Sequence, residues 1–477
     1  MVIEKLPKKE CLHFEPIGRF GVERVASYYA ACDYMICEYS LGIKLMWESV
    51  YRYAFAESNG CLICRDEYNG VVYFDFPVTG EGGDLDAALC AIERYCLVTD
   101  TPLRFTTVPA RYLGMISARY DGVWIQNTYQ YRDYVYHTDE ISRFEGKKYA
   151  GQRNHIRRFQ KNYPDAVFRR LTHDDLPAIE RFAARFSLTV RHMDSDARTE
   201  RESAFRILRE QAYDHFCIGC MEYRGEIIGI ALGERCGDTL VEHVEKALSG
   251  EFEGVYPALF QAFVRNFGGD CSYVNREDDA GERGLRTSKM QYHPCETVTK
   301  YDISVQNVLH FLEEIPLIQT ERLTLDAIRP TDADDYGKLC LDDERNRYWG
   351  YDYREDLGSD LPDGDYFCRV AAEDFAARYA VNFAVRLDGR LIGEVIVYHF
   401  DCRGGAEIGV RISPEHAGRG YGREAFAAIS DWALYRLGVT RLIAQCFREN
   451  CASANMLASL MRKTHEDAVM IAFERRV

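Results

Sequence analysis

Residues 407–425 read EIGVRISPEHAGRGYGREA. Apolar and polar residues alternate along EIGVRI as in a half-buried strand, and Ser413-Pro414 ends it. Glycines 418, 420 and 422 then lead into an apolar spacing that predicts a helix from Gly422 to Leu437. A strand that enters a helix through closely spaced glycines gathers backbone N–H groups at the helix start. The positive end of the helix dipole and Arg419 add to them, so the turn suits an anion such as a pyrophosphate. An ordinary glycine-rich turn has the same spacing, so the surroundings must decide.

Working outward, VNFAVRL and RLIGEVIVYHF read as strands joined through Asp388-Gly389, a hairpin turn pair. After the long helix come a strand, RLIAQCF, and a short helix starting near Cys451. Pro316 marks the upstream boundary, and LIQTERLTLDAI begins the unit with an edge strand. Alternation of antiparallel strands with helices gives a mixed α+β class. Together, the strand, PEHAGRGYG, amphipathic helix, strand, Glu449-Asn450 and Ser453 resemble the GNAT acetyltransferases, in particular the ribosomal-protein alanine acetyltransferase branch, whose first strand is also of the TERL type, here residues 320–323. The resemblance covers about 315–477. It implies acetyl-CoA as cofactor, a pyrophosphate held by backbone groups of Gly418, Arg419, Gly420, Tyr421 and Gly422, pantetheine along Val410 to Ser413 including Ile412, and CoA contacts from Asn450 and Ser453.

Amine acetylation needs a base for the amine proton. Glu407 is the candidate, in a position where several GNAT enzymes carry a glutamate, and period-two alternation puts it on one face with Gly409 and Arg411. A solvated strand-end carboxylate is the alternative. The family's pattern is not complete: Ala417 stands at the first position of its Gln/Arg-x-x-Gly-x-Gly signature, Leu457 where its tyrosine acid falls, and Arg462-Lys463-Thr464-His465 in place of a Gly-Phe pair.

Upstream, two α/β units are expected, residues 1–120 and 121–314. The first carries strands CLICR and VVYFDFP around Asn69-Gly70 and a helix capped by Asp84; the second carries a hairpin turning at Arg224-Gly225. Residues 143–170 hold nine Lys/Arg, with Arg153, Arg157 and Lys161 on one helical stripe, which suits a polyphosphate or an RNA end, or a solvated helix face. GKKYAGQRNHIRRFQKNYP, VEHVEKALSGEFEGVYPALFQAF and YVNREDDAGERGLRTSKMQYHP resemble the family of phosphatidylglycerol lysyltransferase catalytic C-terminal domains over about 12–303. That family has two GNAT-like lobes, so the whole chain is expected to have three, with mostly antiparallel sheets flanked by helices. The match falls on Lys147, Lys148, Arg153, Asn154, Glu245, Lys246, Asn275, Arg276, Glu277, Asp278, Arg286 and Lys289. Arg276, Arg286 and Lys289 could neutralise a phosphate ester with Glu277 or Asp278 orienting a nucleophile, or all could form a buried ion-pair network.

The 477 residues, 47% hydrophobic, fit several folded domains, and the net charge of −16 argues against a DNA or membrane coat. No apolar run of spanning length and no signal-peptide pattern in MVIEKLPKKE are found, so a cytoplasmic location is expected. The 17 cysteines include two CxxC pairs, Cys61/Cys64 and Cys217/Cys220, in strand-like stretches where residues three apart face opposite ways; no metal is expected. The primary expectation is N-acetylation of a small-molecule or peptide amine by the C-terminal unit. Aminoacyl transfer from aminoacyl-tRNA by the N-terminal module, with a helper C-terminal lobe, and a non-catalytic CoA- or RNA-binding regulator are the alternatives.

Overall fold

Parallel neighbours in a sheet cannot be joined by a tight turn and require a crossover, usually a helix. Each of the three sheets in this chain has one such pair in an otherwise antiparallel array. The computed structural model describes residues 11–99, 101–127, 129–189, 195–209, 215–349, 362 and 365–477; the charged opening, residues 1–10, lies outside them. In the first sheet, Val71–Asp75 and Arg104–Pro109 are the parallel pair and helix Leu85–Val98 connects them. In the second, Thr239–Ala247 and Tyr273–Asn275 are joined by helix Val255–Phe267. In the third, Gly405–Ile412 and Arg441–Phe447 are joined by helix Tyr421–Trp432, whose last turn winds as a π-helix over Ala433–Leu437.

The local signals that predict these elements are physical ones. Asp84 accepts a hydrogen bond from the N–H of Ala87 (3.0 Å) as the cap of its helix. The three hairpin turns Asn69-Gly70, Arg224-Gly225 and Asp388-Gly389 each hold both residues at positive φ, between 50° and 83°, the two-residue geometry matched to strand twist. Helix Val255–Phe267 buries Val255, Leu259, Phe260, Phe263, Val264 and Phe267, on the order of 10 kcal/mol of gross apolar transfer.

The fold is therefore the mixed α+β arrangement of three mostly antiparallel sheets flanked by helices that the sequence predicts. Sheet membership crosses residue 120, however. Gly122–Gln126 and Lys300–Gln306 both belong to the first sheet, so residues 121–314 lend it two strands. One hydrophobic core runs through both N-terminal sheets, joining Phe55, Phe74 and Phe105 to Phe205, Ile230 and Leu232. The third sheet has its own core, and it is fastened to the first unit by the Asp121 N–H donating to the Cys402 carbonyl (2.8 Å) and by Arg403 against Glu93 (3.3 Å). No helix among the described residues is long and apolar enough to cross a membrane.

Candidate functional site

Strands Gly405–Ile412 and Arg441–Phe447 pair at three positions only, the last being Glu407 with Ile443. Beyond it the first strand continues against Arg390–Tyr398 and the second against Met470–Arg476. Among the described residues no hydrogen bond joins 408–412 to 444–447, so the two strands part in a fork with Glu407 at its base. Ile408 lies in the core, and Val410 and Ile412 pack against it toward helix Tyr421–Trp432. A Cβ on Gly422 would stand 3.3 Å from Ile412 Cγ1, so glycine lets the helix sit close on these side chains.

Alternation then turns Glu407, Gly409 and Arg411 to the other face. The Glu407 carboxylate lies 3.4 Å from His399 Nδ1, and its strand-register partner is Tyr398. Burial, with Glu407 alongside, pushes the Tyr398 phenol well up, so it keeps its proton. Arg411 is buried, paired with Glu394 (2.8 Å) and stacked 4.4 Å over Trp349. Glu394 also accepts from Tyr336 and Asn382, both at 2.6 Å. Neither Tyr398-His399 nor this network has a sequence signature, because the partners lie on separate elements.

The glycine turn is exposed, and Gly418 and Gly420 have φ of 74° and 83°. The N–H groups of Gly418, Arg419 and Gly420 have no acceptor among the described residues. The TERL segment holds this turn in place. Thr320 and Arg322 both bond the Glu424 carboxylate in the first helical turn (2.6 and 2.7 Å), and Arg322 also donates to the Arg419 carbonyl (3.0 Å) and lies 4.6 Å over the Tyr421 ring. Those bonds draw the Glu424 carboxyl below its ordinary range against its burial. Asn450 caps the helix Cys451–Ala458, its side chain accepting from the N–H of the half-buried Ser453 (3.1 Å). Leu457 is buried in the core.

The corresponding forks of the other two sheets are bridged. In the first, beyond Asp75 paired with Thr106, the Tyr39 hydroxyl accepts from the Phe76 N–H (3.0 Å) and donates to the Thr107 carbonyl (3.1 Å). In the second, beyond Val241 paired with Asn275, Arg276 reaches across to Glu242 and Glu245, 2.6 Å from each, under the rings of Phe260 and Tyr292.

The other N-terminal candidates are mostly engaged with neighbours. Arg153 donates to the carbonyls of Phe144 and Gly146, while Lys147, Asn154 and Arg157 are exposed. Glu277, at a φ of 60°, bonds His243, which also meets Glu234 (2.8 and 2.9 Å). The two carboxylates push the His243 imidazole up to about 9 against its burial. Glu234 in turn accepts from the N–H groups of Leu41 and Gly42, tying the second sheet to the first. Arg286 holds Asp279 through two hydrogen bonds, and Lys289 donates to the carbonyls of Arg276 and Asp278. Arg276, Glu277, Arg286 and Lys289 are thus each held by ion pairs or backbone carbonyls in this structure. Lys300, which carries no motif, is missed by the sequence; its ammonium meets Asp133, Glu38 and Asp278 at 2.7, 2.7 and 3.3 Å. It fills the space between Cys37, Glu38 and Asp278, the cluster among the described residues with metal-ligand spacing. Neither CxxC pair belongs to that cluster; both lie along single strands.

Residues 30–304 match the family described as Phosphatidylglycerol lysyltransferase, C-terminal, and residues 322–460 match the Acetyltransferase (GNAT) domain. The Uncharacterized N-acetyltransferase YoaA of Bacillus subtilis (strain 168) is 27% identical over 147 residues, 30% of this chain and 81% of that protein. The Uncharacterized protein MYCGA3080 of Mycoplasmoides gallisepticum is 24% identical over 196 residues, 38% of this chain and 61% of that protein, so the chain spans about three fifths of its length. A conserved protein of unknown function from Bacteroides thetaiotaomicron VPI-5482 shares the fold, with a TM-score of 0.58 and 23% identity over 62% of this chain and 100% of its own. The first of these matches spans more than half of the sequence, and the chain therefore belongs to the phosphatidylglycerol lysyltransferase C-terminal family, followed by a GNAT acetyltransferase domain that makes it an acyltransferase.

Proposed function

We propose that the C-terminal domain transfers an acetyl group from acetyl-CoA to a primary amine. The observation that carries this reading is the fork beyond Glu407, which alone of the three has no bridging hydrogen bond among the described residues. It lies on the strand that leads into the glycine turn, so a long arm in the fork and a diphosphate on the free N–H groups of Gly418 to Gly420 fit one molecule. Val410 and Ile412 would flank the arm, and Arg419 would add charge complementarity at its anionic end. When bound, acetyl-CoA supplies an activated acyl carbon, at which the N–C bond forms and the C–S bond breaks, the sulfur leaving as a thiolate that is protonated from solvent, to which Glu407 later releases the amine's proton. Glu407 takes the proton that the amine nitrogen loses, with His399 Nδ1 3.4 Å from its carboxylate.

Acetyl-CoA at about a hundredfold excess over its Kd is expected to stabilise the chain by about 2–3 kcal/mol, read as a rise in Tm. Gly420→Glu places a side chain at positive φ and a negative charge against the anion site, and should abolish that rise. A parent protein whose Tm ignores millimolar acetyl-CoA would refute the donor assignment.

For the N-terminal module, family membership and the exposed basic face at Lys147, Arg157 and Lys161 favour a second reading, the binding of an aminoacyl-tRNA. Binding of tRNA should weaken steeply with salt and further in Arg157→Glu; affinity indifferent to both would count against an RNA partner.

A further inference from the structure

The face of the third sheet that carries Glu407 is not left to solvent. Arg441 and Gln445 alternate with the core residues Leu442, Ala444 and Cys446, so they share that face. Opposite them stands helix Leu85–Val98, the crossover helix of the first sheet, and a cleft of about 1050 Å³ lies between, lined by Glu407, Arg441 and Gln445 on one wall and by Glu93, Arg94 and Leu97 on the other. The far wall is fixed. Glu93 is held by Arg119 from its own unit (2.6 Å) and meets Arg403 of the third (3.3 Å), and the Asp121–Cys402 backbone bond lies at the same junction. The base assigned to the C-terminal domain therefore opens onto a space whose other side belongs to the N-terminal module.

The chemistry of the lining narrows what fits. It carries four arginines against four carboxylates, together with His465 and Gln445. A polyamine or another polycation would need an excess of carboxylates to replace its hydration, whereas mixed signs on facing walls complement a molecule with both charges. The volume is at the upper end of small-ligand sites, roughly 300–1,000 Å³, and so exceeds what a lone amino acid needs.

We propose that the acceptor is an amine that also carries a carboxylate, a short peptide with free ends, and that it occupies this cleft with its amine at Glu407 while Arg94 and Leu97 of the first unit select it. This rests on the acetyl-transfer reading above. The N-terminal module thereby determines which amines the C-terminal domain acetylates.

The test uses the full chain with labelled acetyl-CoA and three probes: pentaalanine with free ends, pentaalanine amide and spermidine. Pentaalanine should be the best acceptor. Leu97→Trp, which narrows the cleft at the first unit's wall, should raise its KM by about tenfold and weaken its calorimetric binding to the CoA-saturated protein, with the KM for acetyl-CoA held within about twofold. Arg94→Glu, at an exposed position and with its Tm checked against the parent's, should act in the same direction on the free peptide and much less on the amide. The proposal is overturned if spermidine is preferred, if both variants leave the peptide KM unchanged, or if the peptide is neither bound nor acetylated while acetyl-CoA still raises the Tm. Loss of the Tm rise itself would instead bring down the donor assignment.

Discussion

Glu407→Gln is expected to lower kcat for acetylation by about 100-fold or more while acetyl-CoA still raises the Tm. The substitution is isosteric and keeps a polar group beside His399 Nδ1, 3.4 Å away, so the fork should keep its shape. What it removes is an atom able to hold the amine's proton as the N–C bond forms. The pH–rate profile should lose the limb that belongs to that base, which a merely structural contact would not produce. Turnover within twofold of the parent, at any pH, would show that water or another group takes the proton and would sink the assignment.

A second large effect is expected far from that fork. Arg276→Met should destabilise the N-terminal module by about 3–5 kcal/mol, because it strands the Glu242 and Glu245 carboxylates in a site where both are nearly inaccessible. A chain with several cores need not unfold in one step, so the quantity to follow is the midpoint of the N-terminal transition, which should fall by roughly 10 °C. Glu245 already has its carboxyl pushed up to about 8 by burial beside Glu242. Adding Glu242→Gln and Glu245→Gln to Arg276→Met should therefore recover part of the loss. An unchanged midpoint in the single variant would mean that water reaches these carboxylates.

Much of the fold was legible because its signals are local. The turn pairs at 69–70, 224–225 and 388–389, the Asp84 cap, and the periodicities of strands and helices all act within a few residues, and all predict elements that the structure contains. The closing of the first sheet was not legible. Its strand Lys300–Gln306 pairs with Arg104–Pro109 across almost two hundred residues, and no local pattern encodes such a partner. The candidate site divides in the same way. The glycine turn and Glu407 stand in one stretch of sequence, and their relative placement follows from strand and helix geometry. The neighbours that give Glu407 its environment, Tyr398 and His399, sit at the end of the adjacent strand and just past it, and the cleft wall at Arg94 and Leu97 comes from more than three hundred residues upstream. Arg276 and Lys289 show the converse: the carboxylates and carbonyls that hold them in this structure lie on segments that no local pattern links to them.

The Tyr39 hydroxyl and the Arg276 guanidinium occupy equivalent spots in the first two sheets, each stitching together strands that the shared plan would leave apart. Among the described residues, the third sheet alone leaves its parted strands without such a stitch, and it is there that we propose a thiol-bearing arm to enter. On that reading the chain's internal kinship does not become triple occupancy, and the first copy, sewn up, stands as one wall of the cleft beside the third.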